Sequence, residues 1–152
     1  EVELKEKKDR VDDSIHATKA ALEEGIVAGG GVALLDVYEK ISKKTLGNRS
    51  TSFLIGYKML IESLPSAWNK IVTNSGLSLD DENLNNLMLK RKLRQGLDVK
   101  SRKFGNMIKM GIIDPFKVTK NAVLNSASVA SIILTTSCVI SNKRIKKDES
   151  SR

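Results

Sequence analysis

The sequence predicts a mainly α-helical bundle with a small pair of β-strands, on three observations. Residues 1–24 contain neither glycine nor proline, and their apolar residues recur every three or four positions, as on one face of a helix. Asp114-Pro115 precedes a second run with an apolar residue at about every fourth position, which indicates another long helix. Between these runs, glycines separate two apolar stretches, Leu97–Val99 and Met107–Met110, that are too short for helices and fit small strands.

The first helix is predicted to end at Gly25, because a glycine just after a helix adopts the left-handed conformation that closes it. Three consecutive glycines, Gly29–Gly31, then lead into a second helix over Val32–Ile41. Glycine loses more backbone entropy than other residues when it is ordered, so three in a row need a reason. A glycine turn at a helix N-terminus leaves free N–H groups at the positive end of the helix dipole, and this arrangement suits a phosphate.

The middle of the chain is predicted to contain three shorter helices. They cover Phe53–Leu64, Pro65–Gly76 and Leu79–Leu93, with a polar loop before the first of them. Ser78, followed three residues later by Asp81, is the pattern of an N-terminal cap for the last of the three.

The last helix is predicted to begin with Asp114 as its N-cap and Pro115 as its first helical residue. Its alanines, serines and apolar residues leave hardly any polar face, which is expected of the central helix of a bundle. Cys138 lies in the same apolar region and is expected to be a small buried hydrophobic side chain.

The composition narrows the classes of function. The 152 residues suit one domain with its own core, and a single histidine, His16, leaves little for a metal centre or catalytic triad built on imidazoles. No apolar run reaches the roughly 18 residues that a membrane span needs, so no membrane partner is expected. The net charge is +8, with basic residues concentrated in 90–103 and 143–152. Such runs are mostly solvated surface, and nucleic-acid binding is the alternative, although 4% aromatic residues offer few stacking platforms.

Three aspartates lie where they could take part in chemistry: Asp13 in the first helix, Asp98 in a strand-like run and Asp114 after an apolar stretch. A glycine-rich turn with separated carboxylates is what a nucleotide–magnesium site requires. In such a site N–H groups hold phosphate, while carboxylates serve the metal, the attacking water or ribose hydroxyls. The residues alone leave two readings open, half of a nucleotide site or aspartates with surface and capping roles.

Two long blocks of the sequence closely resemble the group I (GroEL-type) chaperonins. They are EVELKEKKDRVDDSIHATKAALEEGIVAGGGVALL and FGNMIKMGIIDPFKVTKNAVLNSASVASIILTT, in the order of that family and at nearly its spacing. The resemblance implies that residues 1–24 form a helix of the intermediate domain. It also implies that residues 25–141 form the C-terminal half of the equatorial ATPase domain, a helical bundle with a small β-hairpin. Residues 142–152 show no periodicity and are expected to form a mobile basic tail.

The resemblance also implies site residues. Asp13 matches the second aspartate of the family's V-D-D motif, which activates the hydrolytic water. Gly30 matches the glycine that lies at the nucleotide, and Asp114 matches the aspartate that holds the ribose. A short hairpin segment is implied to contact adenine largely through its backbone, and it comprises Asp98, Val99 and Lys100. The implied cofactors are ATP and Mg²⁺. The resemblance implies that the aspartate that binds Mg²⁺ belongs to the N-terminal half of the equatorial domain and not to this sequence.

The function implied is that of an ATP-dependent protein-folding chaperonin, a double ring of identical subunits that works with a co-chaperonin on unfolded polypeptides. The chain begins at Glu1 and lacks the phosphate loop and apical domain of the family. It is therefore expected to be part of a longer protein and to be inactive as an ATPase alone. A bacterial cytoplasm is the expected compartment, with a mitochondrial or plastid matrix as the alternative. Ser137 and a shortened hairpin depart from the family pattern, which leaves a non-catalytic ring-building remnant as a second reading.

Overall fold

A computed structural model describes residues 1–141 of the chain, and the predicted basic tail lies outside this range. The described residues form helices α1 (Val2–Glu24), α2 (Val32–Ile41), α3 (Thr51–Ser63), α4 (Ser66–Asn74), α5 (Glu82–Leu89) and α6 (Phe116–Thr135). They also form strands β1 (Ile26–Ala28), β2 (Gln95–Asp98), β3 (Lys103–Asn106) and β4 (Ile113–Pro115). The prediction of a mainly helical fold with a small hairpin is confirmed. No helix in the described part is long and apolar enough to cross a membrane.

The four strands form two separate antiparallel pairs. In the hairpin, β2 pairs with β3, with Gln95 opposite Asn106 and Asp98 opposite Lys103. The second strand therefore precedes the predicted run Met107–Met110, which instead closes a turn in which the Met110 N–H donates to the Asn106 carbonyl. The other pair, β1 with β4, joins segments that are far apart in sequence and was not predicted.

The core lies where α2, α4 and the end of the hairpin meet. Its most buried side chains are Val32 on α2, Val72 on α4 and Met107 after β3, and each has at most 1% of its surface exposed. Buried apolar residues from β1, α2, α4 and α5 complete the cluster: Ala28, Leu35, Trp68 and Leu84. α1 and α6 contribute no buried residue to this core.

Each glycine of the turn meets a packing or backbone requirement that a larger residue would strain. A Cβ on Gly29 would lie 3.1 Å from the backbone of Ile112 and Ile113, so glycine allows the close approach of the two segments. Gly30 and Gly31 have φ angles of +67° and +75°, in the left-handed region that other residues rarely adopt. At Gly31 a Cβ would also lie 2.7 Å from the backbone nitrogen of Trp68. The turn therefore joins β1, α2 and α4 through backbone contacts.

The prediction that Asp114 caps the last helix is wrong. α6 begins at Phe116 with Pro115 as its N-cap, and Asp114 lies in β4 opposite Val27. A residue before proline is disfavoured in the helical conformation, so the Asp-Pro pair extends the strand instead of opening the helix. The Phe116 N–H then donates to the Gly25 carbonyl at 3.0 Å, which continues the contact between the two segments.

The predicted helix Leu79–Leu93 is also too long. Asp81 caps α5 by accepting from two backbone N–H groups, while the Ser78 hydroxyl accepts from Asp80 N–H in the preceding turn. The chain leaves the helix at Lys90 and passes through Arg94, whose φ of +64° is incompatible with a continued helix.

α6 is not the central helix of a bundle among the described residues. It packs against α1 and β4, and Lys120 Nζ reaches the Glu24 carboxylate at 2.6 Å while Lys117 pairs with Glu23. Most of its apolar side chains, such as Leu124 and Ile133, are exposed. Cys138, which was expected to be buried, is exposed as well. Although α6 has apolar residues nearly all round its surface, α1 and β4 cover it on one side only.

The packing of the glycine turn leads to a first prediction. Gly31→Ala forces a left-handed alanine against the Trp68 backbone and is expected to lower the free energy of unfolding by about 2–4 kcal/mol. The matched control is Gly56→Ala, in an exposed helix with no atom within 4 Å of the added Cβ, which is expected to raise it by about 1 kcal/mol. Urea unfolding of the two variants measures both values, and equal stabilities would contradict the role of Gly31.

Candidate functional site

The pairing of β1 with β4 places Asp114 beside the glycine turn. Asp114 lies opposite Val27, and the turn begins two residues later at Gly29. The Gly29 N–H donates to the Ile112 carbonyl at 3.0 Å, so the turn and the strand that carries Asp114 are held together at this point. Two of the residues singled out in the sequence, Gly30 and Asp114, thus lie on neighbouring segments.

The turn offers two hydrogen-bond donors. Within residues 1–141 no hydrogen bond uses the backbone N–H of Gly30 or Gly31, and both residues are partly exposed. They precede α2, whose first-turn N–H groups carry the positive end of the helix dipole. This is an arrangement that accepts an anion or another hydrogen-bond acceptor.

Asp114 adds a carboxylate with unusual surroundings. It is partly buried, and burial raises its pKa above the ordinary value for aspartate. Burial is the only cause of that shift, and no donor among the described residues offsets it. When ionised, the group offers two acceptor oxygens to a ligand that brings hydroxyl or N–H groups.

Asp98, at the end of β2, has a different setting. Its carboxylate accepts from the Ser101 hydroxyl at 2.6 Å and from the Lys100 N–H at 3.0 Å, and these hydrogen bonds lower its pKa. The side chain is therefore used to close the hairpin turn. The backbone of Val99 and Lys100 forms the tip of the hairpin, where Val99 is partly buried and Lys100 is exposed.

Asp13 lies apart from these residues in this structure. It is exposed on α1 and lines a groove between α1 and α6, together with His16, Lys117 and Asn121. Asp13 lies eleven positions before Glu24, the end of α1, which is roughly 17 Å along the helix axis. The structure thus groups Gly30 with Asp114 and leaves Asp13 on a different part of the surface.

Sequence reasoning missed one polar cluster close to this region. Arg91, read as part of a solvated basic run, has a fully buried side chain that pairs with Asp36 and Glu39 of α2. These partners lie 55 and 52 residues earlier in the chain, so no local pattern connects them. Only the interruption of the apolar side of α2 by two acidic residues hinted at a buried charge. The described residues contain no cluster of three or more histidine, cysteine, aspartate or glutamate side chains that could bind a metal ion.

The comparison with protein families agrees with this architecture. The model of the TCP-1/cpn60 chaperonin family matches residues 1–144, which is nearly the whole chain. The chain therefore belongs to the TCP-1/cpn60 chaperonin family. The resemblance found in the two sequence blocks is confirmed at the level of this family, and a chaperonin-type function follows from it.

The electrostatics of Asp114 give a second prediction. Because folding raises the pKa of Asp114, this carboxyl group lowers the free energy of unfolding once it ionises. The loss sets in as the pH rises from the ordinary pKa, near 4, through the value in the folded protein. Asp114→Asn removes the cost of burying that charge, so it is expected to raise the thermal midpoint slightly at pH 7 and to leave it unchanged below pH 4.

The contrasting control is Asp98→Asn, since hydrogen bonds lower the pKa of Asp98 and its charge contributes stability above the ordinary pKa. This variant is expected to have a lower thermal midpoint than the wild type at pH 7. Thermal unfolding at pH 3.5 and pH 7 measures both effects. A lower midpoint for Asp114→Asn at pH 7 would show that Asp114 has a stabilising partner.

Proposed function

We propose that this chain is part of an ATP-dependent group I chaperonin subunit, in which the turn Gly29–Gly31 and Asp114 form one wall of the nucleotide site. The observation that carries the proposal is the β1–β4 pairing, since it joins the segment of the glycine turn to the strand that carries Asp114. Among residues 1–141, the N–H groups of Gly30 and Gly31 and the partly buried Asp114 carboxylate have no hydrogen-bond partner. Membership of the chaperonin family supports it.

Each residue has a role in the proposal that fits its setting. The N–H groups of Gly30 and Gly31 lie along the nucleotide, where an absent side chain lets the backbone approach closely. Asp114 accepts hydrogen bonds from ribose hydroxyls, which would replace the water lost on burial. The hairpin tip, Asp98–Lys100, contacts adenine through its backbone because the Asp98 side chain is already used. Mg²⁺ would neutralise phosphate charge when it is bound with ATP, on a ligand from the N-terminal equatorial half.

Asp13 is proposed as the base that positions the hydrolytic water, and this requires α1 to move. α1 is joined to β1 through Gly25, whose φ of +84° allows a change of direction there. Just before Gly25, two ion pairs join α1 to α6, Glu23 with Lys117 and Glu24 with Lys120, and their side chains are partly or largely exposed. Exposed pairs contribute little stability, so a tilt of α1 about Gly25 meets a small electrostatic barrier.

We propose further that identical subunits assemble into rings and that the co-chaperonin and unfolded polypeptides bind to regions beyond these residues. In this proposal the 152 residues alone neither hydrolyse ATP nor capture clients. The proposed compartment is a bacterial cytoplasm, or a mitochondrial or plastid matrix.

The structure weakens nucleic-acid binding as an alternative. Two of the seven basic residues between 90 and 103 serve the fold, because Arg91 is buried in an ion cluster and Arg102 donates to the Ser75 carbonyl at 2.9 Å. A protein that binds through phosphate contacts needs such side chains free on the surface.

A third prediction tests the role of Asp13 in the intact chain. Asp13→Ala is expected to leave ATP affinity nearly unchanged and to lower kcat by about 10²–10⁴-fold, as the loss of a positioned general base does. Asp12→Ala is the matched control, since the neighbouring aspartate is also exposed but points about 100° away around the helix. ATP affinity by calorimetry and phosphate release under saturating ATP give the two quantities.

Three results would contradict the proposal. An equal loss of affinity and turnover in Asp13→Ala would make Asp13 structural, and an unchanged kcat would exclude it as the base. An intact wild-type chain that binds ATP but builds rings without hydrolysing it would support the non-catalytic ring-building alternative instead.

A further inference from the structure

A buried ion cluster joins α2 to the base of the β2–β3 hairpin. The Arg91 side chain has no exposed surface, and its Nε donates to Glu39 Oε1 at 2.7 Å. Its Nη2 donates to Asp36 Oδ1 at 2.7 Å, and its Nη1 donates to the Gln95 carbonyl at 2.8 Å. The planar guanidinium therefore uses all three nitrogens, two toward α2 and one toward the first residue of β2.

The same cluster fixes both strands of the hairpin at its base. Asp36 Oδ2 accepts from the Arg94 N–H at 3.0 Å, and the Arg94 carbonyl accepts from the Met107 N–H at 2.9 Å. Burial alone would lower the pKa of Arg91, but hydrogen bonds to Glu39 and Asp36 outweigh it and raise the pKa above the ordinary value. The arginine is thus charged and fully paired.

Contacts between α2 and β2 run in opposite order along the two segments. Asp36 holds Arg94, while Val32, one turn nearer the start of α2, touches Gly96, where a Cβ would lie 2.4 Å from the valine Cγ2. The step from Asp36 to Val32 covers about 6 Å of helix, and the step from Arg94 to Gly96 covers about 7 Å of strand. β2 therefore runs antiparallel to α2. The hairpin tip thus lies toward the N-terminus of α2, the end at which the glycine turn is found.

We propose that Arg91 is a positioning residue that sets the distance between the hairpin tip, Asp98–Lys100, and the turn Gly29–Gly31, and so sets the strength of adenine binding. A two-stranded hairpin is marginally stable by itself, so its placement depends on what holds it. This cluster holds the base, and the hydrogen bond from Arg102 to the Ser75 carbonyl holds the other end. This inference rests on the proposed nucleotide site, and it assigns to that site a residue that touches no part of the ligand.

The test compares Arg91→Lys and Arg91→Met with Lys92→Met in the intact chain. Lys92→Met removes one positive charge from the same run but from an exposed side chain, so it controls for the change in net charge. Glu39→Gln is a milder variant, because the amide keeps the acceptor for Arg91 Nε and removes only the charge. Calorimetry measures the affinities of ATP and of inorganic tripolyphosphate, which lacks the base, and steady-state kinetics separates KM from kcat.

Arg91→Lys keeps the charge but loses the fork that holds α2 and Gln95 together. It is expected to weaken ATP binding and raise KM about tenfold, to leave tripolyphosphate affinity unchanged and to change kcat little. Glu39→Gln is expected to have the same effect to a smaller extent, and Lys92→Met is expected to behave as wild type. If Arg91→Met does not fold, Arg91→Lys and Glu39→Gln carry the test.

The outcomes separate this inference from the proposed function. A wild-type chain that does not bind ATP overturns the nucleotide site, and the positioning role falls with it. A wild type that binds ATP, with Arg91→Lys and Glu39→Gln binding it equally tightly, overturns the positioning role alone. If Arg91→Lys loses affinity for ATP and tripolyphosphate equally and has a lower thermal midpoint, Arg91 stabilises the fold. This result also overturns the positioning role.

Discussion

The short pairing of β1 with β4 is the constraint on which the rest of this structure depends. Three residue pairs join two segments from opposite parts of the chain, and the Gly29 and Phe116 N–H groups extend the contact at either side. Closing so long a loop costs entropy, which these few hydrogen bonds offset only if the backbones approach closely. Glycine at position 29 permits that approach. Because α1 enters β1 and α6 leaves β4, the same pairing places the two long helices side by side.

The buried ion cluster complements a small apolar core. Desolvating one guanidinium and two carboxylates is costly, but every nitrogen of Arg91 is paired, and the surplus negative charge falls on Glu39, whose side chain is 40% exposed. Water therefore solvates the charge that Arg91 does not neutralise. Removing Arg91 would leave Asp36 buried without its cation, so this side chain contributes to how the hairpin sits against α2, together with the Arg94 N–H and the contact of Val32 with Gly96.

Sequence patterns were sufficient where a local rule decides the structure. The bounds of α1 and α2 followed from the spacing of apolar residues and from Gly25, since both signals act within a few residues. Asp114-Pro115 was misread because the same dipeptide favours a helix start and an extended strand end, and only the distant β1 decides between them. The burial of Arg91 was not predicted, because the two carboxylates that compensate its desolvation lie more than fifty residues away in the sequence.

The aspartates Asp98 and Asp114 show why the candidate site needed the structure. In the sequence both follow an apolar residue a few positions after a single glycine, and the local pattern does not show which carboxylate has hydrogen-bond donors. The fold gives Asp98 two donors in its own turn, whereas it desolvates Asp114, to which no described residue donates. Within residues 1–141, folding supplies no donor to the half-buried Asp114 carboxylate and no acceptor to the N–H groups of Gly30 and Gly31 on the neighbouring turn. Features that break local rules in this way mark a candidate functional site.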